Sequence, residues 1–168
     1  HNTSAAVAKS SGRVLNFHRI SSYLSIRILP EGVRNITISS NGGEPLWGEF
    51  VVDYSETQPY VAVTGGNGSV QIKPEEGDYF PKGEKIYFQI PPKTLKSGFT
   101  FSAVIQTPEG DVKWEKSIAE HTVFHRGRAL DLGSFHYDSS SGLGRLEYTS
   151  EIPVTIDCDQ TLDSPVSN

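Results

Sequence analysis

Apolar residues fall on alternate positions through much of this chain, most plainly between Lys85 and Ile118. Ile86, Phe88 and Ile90 alternate with Tyr87 and Gln89 until Pro91-Pro92 ends the run, because proline has no N–H to give a sheet ladder. Past Gly98 the period returns. Phe99, Phe101, Ala103 and Ile105 share one face, Thr100, Ser102 and Gln106 the other, and Val104 is out of phase. Pro108-Glu109-Gly110-Asp111 has the make-up of a type I turn, proline presetting φ and glycine taking the left-handed position after it. Val112, Trp114 and Ile118 then resume the alternation. A period of two broken by such a turn predicts a β-hairpin.

The same pattern recurs on either side. Leu24, Ile26 and Ile28 alternate with Ser25 and Arg27 before Pro30-Glu31-Gly32, although Phe17, Ile20 and Leu24 also fit one helical turn. Ile36 and Ile38 mark a strand over Val33–Ser39, ended by Asn41-Gly42-Gly43, residue types that tolerate positive φ. Leu46, Phe50, Val52 and Tyr54 share a face, with Gly48 a bulge or close-packing position. Short runs follow at Tyr60–Thr64 and Val70–Ile72, and later at His121–His125 and Arg128–Leu132, the last two broken by Gly127. About nine short strands with turn residues every 8–12 positions or so, and no long helix, predict an all-β fold: an antiparallel β-sandwich. Two facing sheets bury aliphatic faces that one open sheet would leave wet. The core is predicted to hold Ile36, Ile38, Phe50, Val52, Phe88, Phe99, Phe101 and Ile105.

The flanks differ. Residues 1–12, small and polar, suit a flexible arm before a sandwich over residues 13–135. In 136–168 the serine- and glycine-rich stretch after Phe135 suits a loop or linker. Ile152, Val154 and Ile156 then alternate around Pro153, giving an isolated strand that the proline confines to an edge. That strand either adds to the sandwich or opens a second domain.

The totals narrow the function classes. With 168 residues, 36% hydrophobic and 21% charged, the chain suits one globular domain. A net charge of -5 with scattered acids offers no basic stripe for nucleic acid. No apolar run approaches the ~20 residues that span a bilayer. Cys158 is the sole cysteine, so no internal disulfide forms. The chain begins at His1 and has no methionine, which reads as a processed product.

Candidate chemistry is sparse. His121 and His125 on a strand stand ~13 Å apart, too far to share a metal. Asp157 and Asp159 lack the further oxygens that calcium needs. No Gly-x-Ser-x-Gly elbow occurs, and Cys158 has no neighbour that would lower its pKa. These readings predict no catalytic residue, no metal and no cofactor. Trp47, out of phase with the Leu46/Phe50/Val52 face, would form with Trp114 and Tyr87 an aromatic platform for a glycan or host ligand, unless the tryptophans close the sandwich.

Four blocks, VRNITISSNGGEPLWGEFVVDY, Lys85–Pro92 with Gly98, TPEGDVKWEKS and RGRALDLGSF, follow an opening NFHRISSYLSIRI. Their order and spacing over residues 16–135 resemble the fimbrillin-like family of Bacteroides-type cell-surface proteins. The resemblance implies a transthyretin-like Greek-key sandwich, export as a lipoprotein precursor to the outer membrane or a fimbria, and no catalysis. Membrane attachment would be through a lipid anchor alone. It also implies assembly with other fimbrial subunits by strand addition, after a protease cuts behind an arginine. Arg13 and Arg19 are the candidate cut sites, Arg13 the more accessible after its polar arm. Ile152, Val154 and Ile156 form the candidate edge or donor strand. The family commonly carries two sandwich domains, and only one is evident in this chain.

Overall fold

Alternation turns into architecture when each strand commits its apolar face to the same interior. The computed structural model describes residues 6–11, 14–53, 60–147 and 154–157. Every regular element among them is a strand: β1 (Ala6–Ser11), β2 (Val14–Arg19), β3 (Ser22–Ile28), β4 (Val33–Ser40), β5 (Trp47–Asp53), β6 (Tyr60–Asn67), β7 (Ser69–Ile72), β8 (Lys85–Ile90), β9 (Lys93–Leu95), β10 (Phe99–Thr107), β11 (Gly110–Ile118), β12 (Thr122–Phe124), β13 (Arg128–Asp138), β14 (Leu143–Glu147) and β15 (Val154–Asp157). The helical alternative at Phe17–Leu24 is overturned, since β2 and β3 occupy it.

Two sheets make the sandwich. One runs β11-β10-β4-β7, the other β14-β13-β3-β8 with β15 also on β13. All pairings are antiparallel except β3 with β13. Leu24, Ile26, Ile28, Phe88, Leu132 and Phe135 from one sheet meet Ile36, Ile38, Phe99, Phe101 and Ile105 from the other in one buried cluster. The Phe101 and Phe135 rings stand 5.4 Å apart across that interior. Three small ribbons flank it: β1–β2, β5–β6 and β9–β12.

The predicted hairpin is β10–β11, registered Phe99↔Ile118 to Thr107↔Gly110. Its turn sits one residue earlier than predicted: Gly110, at φ 121°, opens β11. Several expectations fail. Phe50 is 53% exposed and Val52 only half buried, because among the described residues β5 pairs with β6 alone and joins neither sheet. Residues 6–11 of the expected arm are a strand paired with β2. The stretch predicted as linker is a hairpin, β13 continuing to Asp138 and turning into β14. Asp138 holds that turn by accepting from Ser140 N at 2.9 Å and Ser140 Oγ at 2.6 Å.

β13 contains a bulge. Its register against β3 shifts between Asp131 and Ser134, where Gly133 adopts φ 75° and donates its N–H to Asp131 Oδ1 at 2.8 Å. Leu130 and Leu132 face the core before the bulge, and Phe135 and Tyr137 after it. The extra residue flips the alternation, and the bulge lets both halves of the strand point their apolar side chains inward.

Candidate functional site

The β13 edge is where the fold departs most from a closed sandwich. Its far half, Ser134–Asp138, pairs with β14. Its near half, Arg128–Asp131, pairs with β15, which arrives after residues outside the description. The register sets Val154 opposite Asp131, Thr155 opposite Leu130 and Ile156 opposite Ala129. Four residues from the C-terminal end of the chain thus complete a sheet edge, as an added strand does.

Charge anchors this half-strand on its outer side. Lys85 Nζ lies 2.8 Å from Asp131 Oδ2, with both side chains largely buried, and 5.8 Å from the Tyr87 ring. Burial alone would raise the Asp131 pKa. The Lys85 hydrogen bond, the Gly133 N–H and the Lys85 charge together outweigh it and hold the carboxyl below its ordinary value. The pair fixes β8 and β13 to each other across β3, whose Ser25 is the register partner of both Tyr87 and Asp131.

At the pole where β3 begins and β8 ends, the β5–β6 ribbon overhangs the sandwich. Phe50↔Val63 and Val52↔Val61 share one side of the ribbon. Phe50, Val61 and Val63 line a cavity of about 180 Å³ together with Ile20, Leu46 and Ile90. The ribbon can lie this close to itself only because Gly48 and Gly66 face each other: a Cβ on Gly48 would fall 2.6 Å from Gly66 Cα. Trp47 opens β5 with its ring 56% exposed and its indole N–H donated to the Ser69 carbonyl at 2.7 Å. The Asn41–Glu44 turn is clasped beside it. Asn41 Nδ2 donates to Ser97 O at 2.9 Å, and Lys96 N to Glu44 Oε1 at 3.1 Å. The Ser40 hydroxyl hydrogen bond, with the backbone N–H groups of Glu44 and Lys96, lowers the Glu44 pKa.

A larger cleft of about 1290 Å³ lies at the opposite pole, between the β10–β11 and β13–β14 turns. Its polar groups pair with one another: Tyr79 with Gln106, Lys82 with Glu31 at 3.4 Å, and His136 with Glu147 at 2.5 Å.

The residues singled out in the sequence are dispersed. Trp114 packs inside, half buried, 5.1 Å from Phe135 and 6.1 Å from Phe101. It packs against the core between β11 and β14. Trp47 and 40%-exposed Tyr87 do present rings to solvent. His121 and His125 are exposed at either end of β12, and no group of three or more His, Cys, Asp or Glu that could hold a metal occurs among the described residues. Arg19 closes β2 opposite Ala6. Arg13, Ile152 and Cys158 lie outside the described residues. The bulge at Gly133 was not anticipated, although Leu130 and Leu132 falling out of phase with Phe135 around a glycine would have marked it. Set against protein-family models, curated proteins and solved structures, the chain matches none of them.

Proposed function

We propose that this protein is an exported structural subunit of a surface fibre, assembling with like subunits by β-strand addition at the β13 edge. The observation that carries the reading is β15. A four-residue strand from the far end of the chain docks on Arg128–Asp131 and leaves the rest of that edge to β14. Net hydrogen-bond energies of about 1 kcal/mol apiece put so short a ladder at a few kcal/mol. A neighbour's equivalent strand can then replace it at little cost, the logic of domain swapping. The order β14-β13-β3-β8 facing β11-β10-β4-β7 supports a transthyretin-like Greek-key arrangement, in keeping with the fimbrillin-like resemblance.

The ribbon β1–β2 supports Arg19 over Arg13 as the cut site. Cleavage after Arg19 removes both ribbon strands together and leaves β3 whole, whereas cleavage after Arg13 separates β2 from β1, its partner among the described residues.

The test is a denaturing gel run without boiling. The chain, before and after treatment with an arginine-specific protease, should give a ladder of oligomers that collapses to monomer on boiling. A chain ending at Glu147 should give monomer only. Monomer alone from the intact and the cleaved chain would sink the reading.

A further inference from the structure

The cleft between the β10–β11 and β13–β14 turns, about 1290 Å³, exceeds the ~300–1,000 Å³ of a site for one small molecule. A cavity of about 150 Å³ takes a single six-membered ring, so this cleft has room for several rings in a row. Its charges balance: Lys82 and Arg145 in its lining are matched by Glu31 and Asp138, which favours a neutral occupant. Lys82 Nζ and Glu31 Oε1 stand 3.4 Å apart, both side chains largely exposed, looser than the about 2.7–2.9 Å of a tight ion pair. An ammonium and a carboxylate so placed set a donor beside an acceptor. Two neighbouring hydroxyls suit both, one accepting from Lys82 and the other donating to Glu31. Ser139 and Ser141 bring further hydroxyls from the β13–β14 turn.

One aromatic ring meets this polar lining in a fixed pose. Tyr79 is 38% exposed, and its hydroxyl donates to Gln106 Oε1, which also accepts from Arg34 Nη2 at 3.2 Å. The Arg34 guanidinium lies over one face of the ring, 5.7 Å from its centroid, and Asp111 holds it at 3.5 Å. Arg34 is outside the cleft lining, so the other face of the ring is the one left for an occupant. Such a face is electron-rich and attracts the partly positive hydrogens of C–H groups. Leu143, 72% exposed on β14, adds apolar surface. A pyranose has the matching dual character, hydroxyls at its edge and C–H groups on its face.

We propose that this cleft binds a neutral oligosaccharide of two or more pyranose rings, one ring stacked on Tyr79 and its hydroxyls shared between Lys82 and Glu31. The site is separate from strand addition. It is built against His136–Asp138, beyond the Gly133 bulge, and the Arg128–Asp131 half of β13 that takes β15 contributes nothing to it. It therefore stands whether or not the protein forms fibres.

The test is saturation-transfer NMR on the full chain with a fixed panel: maltotriose, cellotriose, mannotriose, chitotriose, lactose and N-acetyllactosamine, with sialyllactose as the charged comparison. At least one neutral member should bind saturably. Tyr79→Ala should weaken that binding about tenfold or more, and Tyr79→Phe, which keeps the ring, by about threefold at most. Lys82→Ala, at an exposed position, should weaken it several-fold, and Trp47→Ala, at the opposite pole, should leave it unchanged. No saturable binding of any neutral member up to about 10 mM would overturn the proposal. So would binding that survives Tyr79→Ala, binding lost in Trp47→Ala, or tighter binding of sialyllactose than of every neutral member.

Discussion

Gly144 on β14 is predicted to be intolerant of a single added methyl group. The usual expectation runs the other way. Gly144 is not among the positive-φ glycines, and Gly→Ala at a compatible position stabilises by about 0.4–1 kcal/mol through the unfolded chain. Here, however, a Cβ would lie 2.6 Å from Cε2 and 2.7 Å from Cδ1 of Trp114. The indole cannot swing aside freely, since Phe135 and Phe101 pack against it. Overpacking of this kind costs roughly 1–3 kcal/mol. Subtracting the unfolded-state gain leaves Gly144→Ala destabilising by up to about 2.6 kcal/mol, with a centre at about 1.3 kcal/mol, a fall in Tm of a few degrees for a domain of this size. Urea denaturation with tryptophan fluorescence measures it. Gly65, where a Cβ meets nothing within 4 Å, is the control, and Gly65→Ala should be neutral or stabilising. Combining Gly144→Ala with Trp114→Phe should cost less than the two changes summed. If Gly144→Ala stabilised the protein, or if the double variant were simply additive, Trp114 would not be wedged against β14 and the reasoning would fail.

Two further outcomes follow from burial and charge. Because the Asp131 pKa is depressed when folded, its contribution is fully present above the ordinary value of about 3.9 and is lost as pH falls through the folded value; the stability gap between the unaltered chain and Asp131→Asn should therefore be constant near neutrality and close below pH about 4, and a gap that widened with acid would refute the assignment. Phe101→Ala, fully buried, should cost about 3–5 kcal/mol, whereas Phe50→Ala, half exposed, should cost well under that in urea denaturation; equal costs would show that the β5–β6 ribbon belongs to the core.

Legibility of the fold in the sequence follows how many faces of each strand are buried. β10 reads plainly because Phe99, Phe101, Ala103 and Ile105 point inward and their neighbours do not. Phe50 and Val52 carry the same alternation, yet a period of two says only that residues share a face, and the facing surface is a ribbon overhanging a pole. β14 is hidden for the opposite reason. Its inward positions are Gly144 and Leu146, the glycine standing where an aliphatic would signal a strand, because the space is filled by Trp114 from another strand. Serines at 139–141 are turn residues pinned by Asp138 and not the start of a linker. Of the site, the C-terminal strand is readable from Ile152, Val154 and Ile156, but its partner is not, since nothing local to either segment sets the register that brings Val154 opposite Asp131 and Asp157 opposite Arg128. The cavity at the ribbon is likewise assembled from segments that no local pattern links.

The bulge at Gly133 has a consequence for how the edge opens. A continuous strand transmits the loss of one partner along its ladder, each released hydrogen bond exposing the next. With Gly133 interposed, the bonds of β15 and those of β14 belong to separate cooperative units. Amides in Arg128–Asp131 can exchange with solvent while those in Ser134–Asp138 stay protected, and one end of the sheet can change partners without unzipping the wall that holds Phe135 and Trp114.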